Sequence, residues 1–457
     1  MADDENSNDT EVLDEEPRSI LLGLISQLRK GMDLHRVTLP TFVLEPRSML
    51  ERITDFMSHP ELILNVPKEE DPVNRFVNVV RYYLSGWHIK PKGVKKPYNP
   101  VLGERFRARW QFADNTEALF VSEQVSHHPP ISAYYYVSPE NNIIIVGDIR
   151  PKSKFLGNSA ATLMQGESKI IFTNRPGEVY RIAMPNVYAR EFRTKGFFTG
   201  AYNSIYGKIK RESTGESLYE ITGKWSDIMY IKDLRTGHKE VLFNVHESKI
   251  YPKIVAPEEE QEENESRRLW SKVTSALIGR NLDLATEEKT LIEDKQRNEA
   301  KLREAEGIDW RPRYFFCEND EYNFKLTHIS KDPQTAKNQI ESFIFSSNSP
   351  PGFHSPNGPH HHNHDDYKSG CFQMLAFTDS LWYSSGDPCA NHNDVKLTIR
   401  QIGFLFDFMN SLNLYTFQYK SYPMMLHSNM WSYFTRIPDN YNRDHIHGTI
   451  IIQEKYT

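Results

Sequence analysis

The sequence predicts an α+β protein built on a large antiparallel sheet, most simply a barrel or half-barrel, with helices before and after it. Three observations predict this. From Val101 to about Val245, short alternating apolar runs follow one another with turn residues between them. Residues 47–87 and 269–307 instead place apolar side chains at helical spacing. The 457 residues, 38% hydrophobic and 12% aromatic, suffice for one large core or two ordinary ones.

Residues 2–16 carry eight acids and no base, which predicts a solvated tail or one that repels anionic membrane. Ser19 caps a short helix running to Arg29, with Gly31 as its stop. Leu21, Leu24, Ile25 and Leu28 form one face, and Ile20 and Leu22 widen it. So greasy a helix either packs on the core or serves as a lid over an apolar pocket. Pro40 makes residues 39–45 extended or edge structure. Residues 47–59 read as a helix with Met49, Leu50, Ile53, Phe56 and Met57 on one face, ended by Pro60. Asp71-Pro72 is an N-cap followed by a first-turn proline, opening a helix with Phe76, Val79, Val80, Tyr83, Leu84 and Trp87 inside. Residues 90–100 then form a basic, proline-broken loop that ends near Asn99.

Phe106, Ala108 and Trp110 alternate with Arg105, Arg107 and Arg109, predicting a strand with one buried and one wet face. Further strands are expected at 118–125, 131–137, 143–149, 179–187, 197–209, 218–225 and 241–245. A barrel of this size can enclose an apolar ligand cavity. The six glutamates of 258–265 mark a boundary or solvated loop. Leu269, Trp270, Val273, Leu277 and Ile278 share a helical face, and Thr286 can cap a long polar helix running towards Gly307. On that helix Lys289, Glu293 and Arg297 stand at i, i+4 and i+8. They form either a solvated ion-pair ladder or two cations presented to a phosphate. Residues 349–364 are rich in Pro, Gly and His and read as a linker, and 370–457 show no clear period.

The totals narrow the function. A net charge of −6 argues against nucleic acid as a partner. Cys317, Cys371 and Cys389 all lie in the last third, so no disulfide framework supports the first 316 residues and a reducing compartment is expected. The acidic N-terminus lacks a signal-peptide pattern, and no apolar run is long enough to span a bilayer. A cytoplasmic protein with at most peripheral membrane contact is expected. The motif Glu123-Gln-Val-Ser-His-His-Pro-Pro130 sets two adjacent histidines between a strand-like run and a Pro-Pro stop. Neighbours on a strand point to opposite faces, so this spacing is wrong for two strand ligands of one metal. No nucleophile elbow, P-loop or dinucleotide fingerprint occurs. No metal, cofactor or catalytic residue is therefore expected. His127 and His128 beside lysines better suit charge-assisted binding of a phosphate.

Glu-Gln-x-Ser-His-His-Pro-Pro resembles the signature of the oxysterol-binding-protein-related lipid transfer family. Further segments match in family order: 39–45 with Ser48-Met-Leu-Glu-Arg52, Lys95-Lys-Pro-Tyr-Asn-Pro-Val-Leu-Gly-Glu104, Pro151-Lys-Ser-Lys-Phe-Leu-Gly-Asn158, Gly223-Lys-Trp-Ser-Asp227 and 285–297. The wording is most similar to the fungal branch that exchanges phosphatidylserine for phosphatidylinositol 4-phosphate. The resemblance implies a large incomplete antiparallel β-barrel enclosing a lipid tunnel, with an N-terminal lid helix and flanking helices. It implies a tail at 1–17, a transfer domain at 18–346 and an unassigned tail at 347–457. It places phosphoinositide head-group contacts on Lys96, Asn99, His127, His128, Lys289, Glu293 and Arg297. A phosphatidylserine site falls on Leu39, Thr41, Val43, Lys96, Asn99 and Ser153, with the lid at Leu21, Leu24, Ile25 and Leu28. It also implies work at endoplasmic reticulum–plasma membrane contact sites. A sterol carrier and a non-transferring phosphoinositide sensor are the alternatives. The chain departs from the family after Arg190, where strands expected before residue 192 are missing.

Overall fold

Both faces of the main sheet are covered: Ala118 and Phe120 belong to one core, and Leu119 and Val121 to another. In the computed structural model the described residues are 41–91, 95–155, 159–183, 187–190, 204–211, 214–346 and the dipeptide 397–398. The expected lid residues and the join at 190–192 lie wholly or partly outside them.

The described chain opens on a short 3₁₀ turn, Thr41–Val43, and a strand, β1 (Leu44–Ser48). One α-turn, α1 (Met49–Arg52), follows and tightens into 3₁₀ geometry over Ile53–Met57, where a single longer helix was expected. Leu50, Ile53 and Met57 are nonetheless buried. Helix α2 (Pro72–Ser85) starts as expected, the Asp71 side chain accepting from the Asn74 N–H. Its predicted inner residues are buried, but so are Val77 and Tyr82. Only a narrow polar stripe, Asn74, Asn78 and Arg81, stays out of the interior, and the rest of α2 packs in the main core.

The next strand is β2 (Lys96–Tyr98), which pairs in parallel with β1. The main sheet is formed by β3 (Arg105–Gln111), β4 (Glu117–His127), β5 (Pro130–Ser138), β6 (Ile143–Phe155), β7 (Ser159–Gln165), β8 (Glu167–Phe172), β9 (Val179–Ala183) and β10 (Val187–Arg190). Antiparallel pairing runs β3-β4-β5-β6-β8-β9, and the second half of β6 pairs β7, which pairs β10. A second antiparallel sheet holds β11 (Ser204–Lys210), β12 (Ser217–Lys224), β13 (Ile228–Asp233) and β14 (Lys239–Asn244) in order. Among the described residues neither sheet closes on itself, so the barrel is incomplete. The expected strands are present within the described residues, which exclude 197–203 of the strand expected at 197–209; 179–187 falls on two strands, and β7, β8 and β13 are additional.

Helices α3 (Ser266–Leu269), α4 (Ser271–Ile278) and α5 (Leu282–Glu306) follow. Trp270 and Val273 are buried, but Ile278, expected on the same face, is 71% exposed. The cap of α5 is Asn281, whose side chain accepts from the Leu284 N–H, not Thr286. Gly307 ends α5 at φ +64°, a conformation that favours glycine. A hairpin of β15 (Phe315–Glu318) and β16 (Glu321–Phe324) and a last helix, α6 (Pro333–Phe345), cover the outer face of β4 and β5.

That outer layer corrects the expected wet face of β3. Phe106, Ala108 and Trp110 do point into the main core. The arginines opposite are covered as well. Arg107 bonds Glu265 and lies over the Phe345 ring, Arg105 and Arg313 pair with Glu262, and Arg109 pairs with Glu341. Two of the glutamates expected in a solvated loop are thus counter-ions beneath a packed layer. Paired charges survive burial, and an unpaired one does not.

The helical layer meets the second sheet at a histidine pair. His59 Nε2 lies 2.8 Å from His88 Nε2, and the Phe243 ring packs against both. Burial, helped by the neighbouring His59, pushes the His88 imidazole down to about 4. An unfolded histidine titrates near ~6.5, so between those values the unfolded chain takes a proton that the folded chain refuses. Stability should fall as pH drops through this window, and His88→Phe should flatten the slope of a pH series of urea midpoints. Separately, Arg107→Ala leaves the Glu265 carboxylate buried and uncompensated. It should cost on the order of 3 kcal/mol in chemical denaturation.

Candidate functional site

Backbone pairing first brings two distant stretches together. Leu44 of β1 stands opposite Lys96 of β2, and Lys95 Nζ donates to the Phe42 carbonyl at 2.8 Å. Tyr98 stacks on Trp270 at 4.7 Å and bonds Thr274, which fixes β2 to α4. The next residues, 100–104, form a loop in which Gly103 takes φ +79° and a side chain there would strike the Trp310 ring. The loop closes on Glu104, a fully buried carboxylate. It accepts from Ser48, Ser266, the Trp270 indole and the Val101 N–H. Burial raises its pKa, and these four donors oppose the rise.

The histidine motif is held from behind in the same way. Glu123 accepts from the backbone N–H groups of Arg313 and Tyr314, at 2.6 and 2.8 Å. Gln124 accepts from Ser132 and donates to the Ser126 carbonyl. The first half of the motif is therefore structural, and only its second half reaches the site. His127 ends β4, His128 is exposed beyond it, and the His128–Pro129 peptide is cis. The two rings meet edge to face at 4.6 Å. His127 Nδ1 lies 3.1 Å from the Pro100 carbonyl, so the motif also grips the start of the loop.

Helix α5 supplies the third side. Lys289 donates to Glu293 at 2.6 Å. Burial lowers the pKa of Lys96, the Lys289 ammonium lowers it further, and Glu293 opposes both. Burial likewise lowers the pKa of His127, with His128 adding to the effect and the Pro100 carbonyl and Glu293 opposing it. These shared interactions show that Lys96, His127, His128, Lys289 and Glu293 form one cluster. It sets two ammonium groups and two imidazoles against one carboxylate. Such a set can bind a phosphate by charge-assisted hydrogen bonds.

The remaining expected residues divide. Asn99 is exposed just after β2. Arg297 pairs with Asp294 at 2.6 Å, and Glu293 acts on it only as a nearby charge. Eight residues of an α-helix rotate by about 80°, whereas seven rotate by only about 20°. The residue stacked over Lys289 is therefore Gln296, which spacing at i+4 and i+8 missed and a helical wheel finds. Gln296 Nε2 lies 2.9 Å from His127 Nε2, and its Oε1 accepts from the Leu102 N–H at 2.6 Å. Thr41 is buried, its hydroxyl 3.1 Å from that of Thr286 and 3.3 Å from the Leu282 carbonyl, and Val43 is buried beside it. Ser153 lies in β6 opposite Thr162. Leu39 lies outside the described residues.

A narrow apolar cavity lies between α2 and the sheet, lined by Met57, Tyr82, Tyr83, Ile145 and Ile182 among others. The buried hydroxyls of Tyr82 and Tyr83 have no hydrogen-bond partner there. Among the described residues no cluster of three or more His, Cys, Asp or Glu side chains is arranged to hold a metal, and no helix is long and apolar enough to cross a membrane.

A sequence profile described as oxysterol-binding protein matches residues 23–192, 189–277 and 273–339. An oxysterol-binding protein homolog of Schizosaccharomyces pombe is 46% identical over 374 residues, spanning 73% of this chain and 78% of the relative. Oxysterol-binding protein homologs 7 and 6 of Saccharomyces cerevisiae are 44% and 43% identical, spanning 73% and 74% of this chain and 85% and 83% of theirs. A crystal structure of the Osh1 ORD domain in complex with ergosterol aligns with a TM-score of 0.57 at 22% identity, covering 72% of this chain and 90% of that one. The Osh3 ORD in complex with PI(4)P from Saccharomyces cerevisiae aligns at 0.52 and 20% identity, covering 73% and 96%. These two likenesses establish the fold. From the profile match and relatives 43–46% identical, the chain belongs to the oxysterol-binding protein family, as a lipid-transfer protein of its fungal branch and not an enzyme.

Proposed function

We propose that the chain extracts phosphatidylserine from one membrane and exchanges it for phosphatidylinositol 4-phosphate at another, touching anionic membranes only peripherally. The observation that carries this reading is the convergence of Lys96, His127, His128 and Lys289 with a single carboxylate, Glu293, among them. Burial and a like-charged neighbour disfavour the charged forms of Lys96 and His127, and an arriving phosphate supplies the opposite charge that offsets this. Thr41 and Val43, on the phosphatidylserine side, adjoin the same cluster through the β1–β2 pair and Lys95. One site then serves either lipid and never both. In this reading residues 18–346 form the transfer domain and Leu21, Leu24, Ile25 and Leu28 its lid. Residues 1–17 and 347–457 lie outside that domain, and the work is done at endoplasmic reticulum–plasma membrane contacts.

The energetics favour a carrier. Exposing an acyl chain costs ~0.8 kcal/mol per CH₂, so about thirty methylenes cost on the order of 25 kcal/mol in water. A protein interior that solvates the chains removes most of this, while hydrogen bonds hold the head group. A second reading replaces phosphatidylserine with a sterol as the exchanged lipid, the ligand class named for the Osh1 ORD domain whose fold the chain shares. Mass spectrometry of the co-purifying lipid separates the two. A phosphoinositide sensor, by contrast, would not move lipid between vesicles at sub-stoichiometric protein.

The combined substitution His127→Ala and His128→Ala should lower phosphatidylinositol 4-phosphate extraction from liposomes by roughly tenfold or more, the worth of a charge-assisted hydrogen bond or two. Phosphatidylserine extraction should change far less. Equal loss of both lipids would overturn the separate use of the histidines.

A further inference from the structure

Gln296 touches both the loop and the histidine motif from α5, and its orientation is determined by its neighbours. The Leu102 backbone N–H can only donate, so the atom facing it at 2.6 Å is the amide oxygen. The amide nitrogen must then face His127 Nε2 at 2.9 Å, and a nitrogen with two hydrogens donates. His127 Nε2 is therefore an acceptor without a hydrogen of its own. The ring's single hydrogen sits on Nδ1 and is donated to the Pro100 carbonyl at 3.1 Å. A chain of three hydrogen bonds thus runs from Leu102 through Gln296 and His127 to Pro100. It begins and ends on one short loop, and no member of it can reverse direction alone.

We propose that Gln296 is a positioning residue of the phosphate clamp: its amide holds His127 as the neutral Nδ1–H tautomer, and a phosphomonoester must displace that amide to engage the ring. This rests on the phosphoinositide reading of the site. A dianionic phosphate needs a donor from His127 Nε2, which is the atom that Gln296 occupies. Engagement therefore requires the ring to take up one proton at Nε2, from solvent or from the singly protonated phosphate. An Nε2–H facing the amide N–H would be two donors in contact, so the amide swings away and its own N–H becomes free for the phosphate. The consequence is selection. A ligand that brings enough negative charge to protonate His127 can open the latch, whereas a phosphodiester head group with one formal phosphate charge is held by the Thr41 and Lys96 side without disturbing it. The charged and titratable groups that bear on the ring are His128 from its own turn and Glu293 from α5, with Lys96 of β2 and Lys289 of α5 across the cluster. Glu293 and the Pro100 carbonyl favour the protonated ring, burial and His128 oppose it, and the amide adds to the opposition.

The test uses the full chain labelled with ¹⁵N-histidine, with His127 assigned by its loss in His127→Asn. The ligand-free wild type should show His127 as the Nδ1–H tautomer. Gln296→Met keeps the side-chain volume and removes both hydrogen bonds. It should mix the tautomers and raise the His127 titration midpoint by about half a unit or more, while His128 moves less. Gln296→Glu presents an acceptor to Nε2 and should raise the midpoint by more than about one unit. In liposome assays of Gln296→Met, the pH above which phosphatidylinositol 4-phosphate extraction fails should move up by a similar interval, with no such shift for phosphatidylserine. An Nε2–H tautomer in the wild type, or a His127 midpoint unmoved by Gln296→Met, overturns the proposal. So does an equal loss of both lipids at every pH, the mark of a merely loosened loop. If the wild type extracts no phosphatidylinositol 4-phosphate, the lipid reading fails while the imidazole spectra still decide the latch.

Discussion

An excess of partly desolvated positive charge organises this end of the molecule. Lys96 and Lys289 share one carboxylate, and two imidazoles stand beside them. Such a cluster is costly unless the surrounding frame holds it rigidly, because repulsion and burial both push the cations outward. The frame does so with uncharged or fully satisfied groups. Tyr98 is clamped between Trp270 and Thr274, the loop after it is tied to the β4 backbone through Gly103 and Gln124, and His127 is tied to the loop through Pro100. The positive charge is thereby kept for an incoming anion.

Carboxylates elsewhere are used in the opposite way. Glu104 and Glu123 are buried and saturated by backbone, hydroxyl and indole donors. Glu262 and Glu265 neutralise the arginine face of β3 beneath the layer made by α6 and the β15–β16 hairpin. Spent carboxylates hold the shell together, and they contribute no negative charge to the site. The histidine motif shows the division within eight residues: its acidic half fastens the C-terminal layer to the sheet, and its histidine half faces the ligand side.

Several local features were legible because they depend on near neighbours in the chain. The Asp71-Pro72 start of α2, the inward face of Phe106, Ala108 and Trp110, and the Lys289–Glu293 pair all appear where spacing put them. Features that failed depend on what arrives from far away. Arg107 looked solvated because the residues that cover it, Glu265 and Phe345, lie more than 150 positions on. Thr286 looked like a cap, yet the helix begins earlier at Asn281, and its hydroxyl is used to meet Thr41. Gln296 went unnoticed because an α-helix turns by 3.6 residues rather than 4, which brings it, seven residues after Lys289, to His127.

What the amino-acid order determined by itself was the class of fold, the start of α2, the alternating strands and the list of groups able to bind phosphate. These rest on backbone sterics, capping and periodicity, which act over a few residues. Only the tertiary structure decided which of those groups meet. Pairing of β1 with β2 brought Leu44 to Lys96, the end of β4 brought His127 to Pro100, and α5 brought Gln296 to His127. Meeting is a matter of long-range packing and of the direction in which each hydrogen bond must run, and neither is written in the spacing of a single segment.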